Sequence, residues 1–422
     1  MKLQKILDRL QKLHPKEIDL SLDRILNLCK KLGNPQNKIK SISIVGTNGK
    51  YSTIQAMYAI LKDAGINCNI YTSPHIQKIN ERFVFNNQEI GDQELTELFE
   101  EVEKVNDNQS ITFFEILTAA YFHKAAKYPD NINLIETGLF HRFDATNILK
   151  KNLASVVTAI GIDHLDWLPE NEQTIEKIIY EKTSTLLNSK IIIAKQSSSK
   201  IYDQIKKTIL KNSSRKLYFD EDYTYSFNEN GFFYYEDKIG GLKLPNPNVN
   251  GKFQIENIST AIATLRSIKQ LQIREDCIKS GVTNINSIAR LQEITQGKLK
   301  DLVKNNKLLV DGSHNSLGAK VLNEYLENLD CKKHVILGMM ANKNHQEYMS
   351  YFKEIATLTT IDIPNQPNSI RGEDLKNKLI DFKNVQYKEN IFEAIKSIPV
   401  KKNDLILITG SLYLAGEVLN LN

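Results

Sequence analysis

The sequence predicts an α/β protein: a P-loop-type domain with a mostly parallel sheet and a small antiparallel subsheet, followed by a Rossmann-like C-terminal domain. Three observations predict this. Residues 41–45 have strand character and run into Gly46-Thr47-Asn48-Gly49-Lys50, and an amphipathic helix and a second strand at 69–72 follow at once. Residues 223–244 are rich in Tyr and Phe and carry a turn at Asn228-Glu229-Asn230-Gly231, which reads as an antiparallel hairpin or small sheet. After a break in pattern around 284–289, strand and helix alternate again, without any G-x-G-x-x-G. The boundaries are drawn at 1–286 for the first domain, 287–296 for a linker and 297–422 for the second.

The first unit of this plan rests on its loop. Ile54, Met57, Ile60, Leu61 and Ala64 share one face of the helix after Lys50, and Gly65 stops it. A helix N-terminus offers backbone N–H groups and a positive dipole end, glycines allow close approach, and Lys50 adds a full charge. The stretch is suited to polyphosphate. It departs from G-x-x-x-x-G-K-[ST], because Ile44 stands six before Lys50 and Tyr51 directly follows it.

Residues 1–40 read as two helices around Pro15, and the amphipathic start reads as a surface helix rather than a signal or transit peptide. The loop Tyr71-Thr72-Ser73-Pro74-His75 ends a strand, where open α/β sheets place ligands. Asn80-Glu81-Arg82 leads into a strand at 83–85 and a turn at Asn86-Asn87, and helices are expected at 92–105 and 112–127. The strand 132–136 ends on Glu136, and 155–160 is a strand ending in Gly161-Ile162-Asp163-His164. A helix through Ile175, Ile178, Ile179 and Lys182 follows, then a strand at 191–193; a helix from about 255 to 269 carries Gln254 and Asn257 at its start. Strands at 308–310, 335–337 and 405–408, with a helix at 317–329, make up the second domain.

Three strands of the first domain thus end in polar groups of a phosphate–metal kind: Lys50 with Ser52, Glu136, and His164. Hydroxyl, carboxylate and imidazole form a mixed set compatible with Mg²⁺ on nucleotide phosphates. Composition sets limits on other functions. The chain has 422 residues with 55 basic and 50 acidic side chains, a net charge of +5 that is too small and too scattered to imply nucleic-acid binding. No run reaches the roughly 18 apolar residues of a membrane span. The four cysteines, Cys29, Cys68, Cys277 and Cys331, have no metal or disulfide spacing and read as reduced thiols of a cytoplasmic protein.

Taken together, the motifs resemble the Mur ligase superfamily, in its folylpolyglutamate synthase/dihydrofolate synthase branch. The resemblance is carried by Gly46-Thr47-Asn48-Gly49-Lys50-x-Ser52-Thr53, Tyr71-Thr72-Ser73-Pro74-His75 with Asn80-Glu81-Arg82, and Thr112-Phe113-Phe114-Glu115. It continues through Gly138-Leu139, Arg142 and Asp144-Ala145-Thr146-Asn147, Gly161-Ile162-Asp163-His164, Glu181-Lys182, and Gln254 with Asn257. Asp311-Gly312-x-His314-Asn315 and Gly410-Ser411-Leu412-Tyr413-Leu414-x-Gly416-Glu417 complete the order.

The resemblance implies an ATP-dependent ligase that joins L-glutamate to dihydropteroate, to reduced folates, or to both, through an acyl phosphate. It implies ATP at Gly46, Thr47, Asn48, Gly49, Lys50, Tyr51, Ser52, Asn257, Arg290 and Asp311. It implies Mg²⁺, two ions, on Ser52, Glu136, His164 and a carbamylated Lys182, with a place for a monovalent cation. Ser73, Pro74, His75 and Arg82 are implied for the acyl substrate, and His314, Ser411 and Tyr413 for glutamate. Lys50, Lys182 and His314 are the implied catalytic groups, and the implied state is a cytoplasmic monomer. A non-catalytic nucleotide-binding descendant, or a Mur-type ligase for another acid and amino acid, stays open at this point. The chain departs from the family's pattern at Tyr51, at Phe140-His141 in place of Gly-Gly, and at Thr183-Ser184 in place of Ala-Gly. It departs again at Asn342-Lys343-Asn344, where two aspartates are usual, and at Ile288-Ala289 in place of Pro-Gly.

Overall fold

The computed structural model describes residues 2–16, 19–228, 231–382 and 384–422. The chain divides into two compact units. The first comprises Met1–Ile160, Glu170–Asn248 and Glu256–Ile285; the second comprises Gly161–Pro169, Val249–Ile255 and Asn286–Asn422.

The first unit is built on an eight-stranded sheet. Its strands are β1 (Lys40–Val45), β2 (Cys68–Tyr71), β3 (Phe83–Phe85), β4 (Gln88–Glu89), β5 (Ile132–Glu136), β6 (Ala154–Val157), β7 (Lys190–Ile193) and β8 (Lys216–Tyr218). They lie in the order β4-β3-β2-β5-β1-β6-β7-β8. All pairs are parallel except β2–β3 and β3–β4. Every residue of β5 and β6 is buried, as a sheet covered on both faces requires; the apolar side chains of β5 are interrupted by Asn133, whose amide accepts from Tyr121 and donates to the Lys40 carbonyl. The helices Lys2–Gln11, Asp92–Asn106 and Phe113–Ala125 pack into one core through Ile6, Leu10, Phe99, Val102, Leu117 and Phe122. A fully buried side chain of this kind contributes roughly 1.5–3 kcal/mol, which suits a unit with its own core.

The Tyr/Phe-rich stretch forms the expected antiparallel sheet, β9 (Tyr223–Asn228), β10 (Phe232–Asp237) and β11 (Gly240–Pro245), in the order β11-β10-β9. The turn expected at Asn228–Gly231 includes residues 229 and 230, which lie outside the described residues.

The second unit holds a six-stranded sheet of β12 (Gln292–Glu293), β13 (Lys307–Val310), β14 (Lys333–Leu337), β15 (Thr357–Ile361), β16 (Val385–Lys388) and β17 (Leu405–Thr409). The order is β12-β13-β17-β14-β15-β16, parallel except for the edge strand β12. The segment read as a linker therefore contains a strand, since Gln292 and Glu293 pair with Val310 and Leu309. Among the described residues no helix is long and apolar enough to cross a membrane.

Several boundaries differ from the sequence expectation, two of them beside the phosphate-type loop. The strand expected at 155–160 closes at Val157, because Ala159 leaves the ladder and turns its carbonyl to the loop after β1. The helix expected from about 255 begins at Lys252, so Gln254 and Asn257 both lie within its first two turns.

Candidate active site

In the first unit the polar groups gather at the carboxyl ends of β1, β2 and β5. β1 delivers the chain into Gly46 (φ +154°) and Gly49 (φ +88°), and the helix Lys50–Asp63 starts at once. Both glycines are required. A Cβ on Gly46 would lie 2.0 Å from Thr158 Oγ1, and one on Gly49 would lie 2.5 Å from Asn257 Oδ1. The Asn257 side chain therefore lies against the loop at Gly49. The N–H groups of Thr47 and Asn48 donate to the Ala159 carbonyl at 2.9 and 3.1 Å. The loop's sequence suggests that these two N–H groups face an anion; in the fold they lock the loop onto the segment after β6.

Lys50 curls back over the loop. Its Nζ donates to the carbonyls of Gly46 (3.3 Å) and Thr47 (3.2 Å) and lies 3.8 Å from Glu136 Oε1. Glu136 is buried at the end of β5, and its Oε2 accepts the Ser73 N–H at 3.2 Å. Ser52 is buried on the first turn of the helix. Hard oxygen donors on Ser52 and Glu136 beside the helix N-terminus fit a Mg²⁺–phosphate group. Among the described residues no three His, Cys, Asp or Glu side chains form a ready-made metal cage.

The loop from Ser73 to Arg82 is ordered by an acid to which sequence reasoning gave no role. Glu81 Oε1 accepts the N–H groups of Gln77 and Lys78, both at 2.9 Å, and Oε2 accepts that of Ile76 at 2.7 Å. Asn80 ties the loop to the Ile90 carbonyl and to Asp92. Arg82 Nε then donates to His75 Nδ1 at 2.9 Å. Burial, and next the Arg82 charge, push His75 down to about 4, so its ring is a neutral acceptor. The motif Thr112–Glu115 is likewise architectural: Thr112 N–H donates to Glu115 Oε2 (2.8 Å) and Glu115 N–H to Thr112 Oγ1 (3.3 Å), a capping box braced by Arg24.

The loop after β5 winds around buried Asp144, which accepts the N–H groups of Gly138 (2.9 Å), Leu139 (3.1 Å) and Thr146 (3.0 Å). It sets the Leu139 carbonyl 2.8 Å from Lys182 Nζ, which also donates to the Gly46 carbonyl at 3.0 Å and lies 5.4 Å from the centre of the Phe140 ring. Lys182 is 1% exposed. Two carbonyl oxygens and an aromatic face suit an ammonium.

In the second unit the predicted residues stand at the carboxyl ends of β13 and β17. Asp311 Oδ2 accepts the Leu291 N–H and Oδ1 the Ser313 N–H, both at 2.8 Å. Arg290 donates to the Ala289 carbonyl at 3.0 Å, and that carbonyl also accepts the Gly312 N–H at 3.0 Å. His314 Nδ1 donates to the Gly312 carbonyl at 2.9 Å, which turns Nε2 toward Asp163 Oδ2, 3.6 Å away. Ser411 caps the last helix through the Tyr413 N–H at 3.1 Å, and Tyr413 is among the exposed large side chains.

His164 groups with this second unit, next to a residue whose role the sequence did not disclose. Asp163 is buried and accepts from Lys343 Nζ (2.6 Å), Asn315 Nδ2 (2.8 Å) and the His164 N–H (2.9 Å). Burial alone would raise its carboxyl, but His314, His164 and Lys343 outweigh that and hold it well below the usual carboxylate range. A carboxylate placed just beyond a strand end was the available signal.

Comparison with known proteins finds relatives over nearly the whole chain. The family described as Mur ligase, glutamate ligase domain, matches residues 290–412. The dihydrofolate synthase/folylpolyglutamate synthase of Haemophilus influenzae is 28% identical over 97% of this chain and 95% of its own. The E. coli FolC structure in complex with DHPP and ADP is 25% identical with a TM-score of 0.86, covering 99% of this chain and 97% of that one. The Thermotoga maritima folylpolyglutamate synthase structure is 26% identical with a TM-score of 0.82, covering 100% and 97%. Residues 290–412 thus match the glutamate ligase domain of Mur ligases, and nearly the whole chain is similar to folylpolyglutamate synthase/dihydrofolate synthases.

Proposed function

We propose that the chain is an ATP-dependent ligase that forms an amide between L-glutamate and dihydropteroate, reduced folates, or both. The observation that carries the reading is the Gly46–Lys50 loop with Lys50 Nζ 3.8 Å from buried Glu136, in a chain whose relatives match it nearly end to end. In the reaction a carboxylate oxygen of the acyl substrate attacks the γ-phosphorus of ATP, the bond to the bridging oxygen breaks, and ADP leaves. The amine of glutamate then attacks the acyl carbon, the carbon–oxygen bond to phosphate breaks, and inorganic phosphate departs with loss of a proton from nitrogen.

Each residue has a part that its chemistry allows. Lys50 and the start of its helix meet the charge on the transferred phosphoryl group, and Gly46 and Gly49 let the backbone approach. Ser52, Glu136 and His164 would hold a divalent cation, which supplies further charge neutralisation when bound. Asn257, Arg290 and Asp311 are assigned to ATP, and Tyr51 flanks its phosphates. Ser73, Pro74, His75 and Arg82 are assigned to the acyl substrate; His75, neutral and fixed by Arg82, presents no competing charge. His314, Ser411 and Tyr413 are assigned to glutamate. No step passes through a carbamate on Lys182.

The test is turnover of the full chain with Mg-ATP and glutamate, using dihydropteroate in one arm and tetrahydrofolate in the other, followed by release of ADP and phosphate. Product in either arm supports the proposal, and the pair of rates tells which reaction the chain performs. ATP binding with no turnover in either arm would establish the nucleotide-binding descendant instead.

A further inference from the structure

We infer that Gln292 is a positioning residue for nucleotide binding: its side chain holds the turn at Ala289 in the conformation that aims the Arg290 guanidinium. The inference rests on the ligase reading, in which Arg290 is assigned to ATP, and deepens it. Arg290 is flanked by two residues in the left-handed region, Ala289 at φ +54° and Leu291 at φ +48°. Neither is glycine, and both are fully buried. Their own side chains oppose this backbone conformation, so it persists only where the surroundings impose it.

The surroundings consist of three side chains. Gln292 Oε1 accepts the Ala289 N–H at 2.9 Å, Asp311 Oδ2 accepts the Leu291 N–H at 2.8 Å, and Asn250 Nδ2 donates to the Leu291 carbonyl at 2.9 Å. The left-handed turn sets the direction of the Ala289 carbonyl. That carbonyl accepts from Arg290 Nη1 and from the Gly312 N–H, each at 3.0 Å. A Cβ on Gly312 would lie 3.3 Å from Arg290 Nη1, so the guanidinium packs against a position that carries no side chain. One bond to a planar five-donor fork is enough to orient the whole fork. Gln292 therefore acts on Arg290 through Ala289. Its other place in the fold is separable. As part of β12 its backbone pairs with Val310, and a backbone pair does not need a carboxamide. Asp311 is itself assigned to ATP, which leaves half-buried Gln292 as the cleaner probe.

The experiment compares four full chains: wild type, Gln292→Ala, Ala289→Gly and the double variant. Each is titrated with ATP and with glutamate for rate, and with a non-hydrolysable ATP analogue for equilibrium binding by calorimetry. Gln292→Ala should raise the KM for ATP and weaken analogue binding by up to roughly tenfold, the reach of one lost hydrogen bond, while the KM for glutamate stays put. Glycine takes the left-handed angle without help, so the same change on the Ala289→Gly background should have little effect on either nucleotide constant. A purely structural Gln292 would lower the urea midpoint and leave nucleotide binding alone. Nucleotide constants unchanged in Gln292→Ala, or weakened equally on both backgrounds, overturn the inference. A wild-type chain that binds analogue but turns nothing over defeats the ligase reading alone, because the calorimetry still measures what Gln292 does. A wild-type chain that binds no analogue defeats both.

Discussion

Asp163→Asn removes one charge and one acceptor from the second unit while keeping the side chain's shape, and its cost follows from the geometry. With the amide oxygen in the place of Oδ1, the bonds from Lys343 Nζ (2.6 Å) and the His164 N–H (2.9 Å) survive, but the new NH₂ meets Asn315 Nδ2 at 2.8 Å, donor against donor. Asn315 cannot turn its amide over in compensation. Its Oδ1 accepts the Gly318 N–H at 2.9 Å and caps the helix Ser316–Glu327. The opposite rotamer sets the NH₂ against the Lys343 ammonium instead. Either way at least one charge-assisted bond is lost, worth about 1.5–3 kcal/mol. The ammonium also loses its counter-charge, and breaking one side of a buried pair costs about 3–5 kcal/mol. Lys343 retains some solvent access, with a side chain 14% exposed, so we expect a loss near the lower end, about 3 kcal/mol. The chain's single tryptophan, Trp167, lies in the segment Gly161–Pro169 that Asp163 anchors, and its fluorescence in urea reads the transition directly. A Trp167 transition that moves by less than about 1 kcal/mol would refute the argument that Asp163 is the hub of this cluster.

Three further outcomes are expected. Lys50→Ala should lower turnover by roughly 10²–10³-fold, the usual effect of removing one charge-stabilising donor, while the thermal midpoint stays put; an unchanged rate would sink the assignment of the loop. Gly49→Ala forces a Cβ at φ +88° to within 2.5 Å of Asn257 Oδ1. The backbone strain alone is about 1–2 kcal/mol, and displaced Asn257 should raise the KM for ATP, read in one titration of rate against ATP. His75 and His141 are both pushed down to about 4, each first by burial and then by a neighbouring cation, Arg82 or Lys182. Between about pH 6.5 and 4 the unfolded chain therefore binds the extra protons, and stability falls as pH falls, by up to about 1.4 kcal/mol per unit for each ring. Urea midpoints measured across that range should flatten when His75 is replaced by Gln, and an unaltered slope would contradict the burial argument.

Much of this was legible in the sequence because local signals and tertiary context agree. The short strands rich in Ile, Leu and Val at β1, β5, β6 and β7 announce the sheet, and Gly46, Gly49 and Lys50 announce the loop. What stayed hidden depends on partners distant along the chain. Nothing local marks Ala159 as the acceptor that occupies two loop N–H groups, or Glu81 as the acid that gathers three. Asp163 could be seen, but Lys343, 180 residues later, gives it its meaning. The strand expected to reach residue 160 failed for the same reason: its sequence continues to look like strand, while its backbone bonds go to the loop.

The departures from the family pattern sort themselves by backbone conformation. A glycine is irreplaceable only where φ is positive or where a Cβ has no room. Tyr51 lies in the first turn of the helix Lys50–Asp63, and Phe140 and His141 have ordinary backbone angles, so an L-residue fits at all three without strain. Ala289 is the exception, at φ +54°, where the left-handed conformation costs a non-glycine residue about 1–2 kcal/mol. Its carbonyl holds both Arg290 Nη1 and the Gly312 N–H, so that strain is retained where a residue assigned to ATP must be aimed. Phe140 and His141 act through their side chains instead. One presents a ring to Lys182, and the other is buried with its Nδ1 at 2.9 Å from Thr185 Oγ1. The two residues that replace glycine beside Lys182 therefore need no left-handed backbone, and they set a ring and an imidazole beside what the loop surrounds.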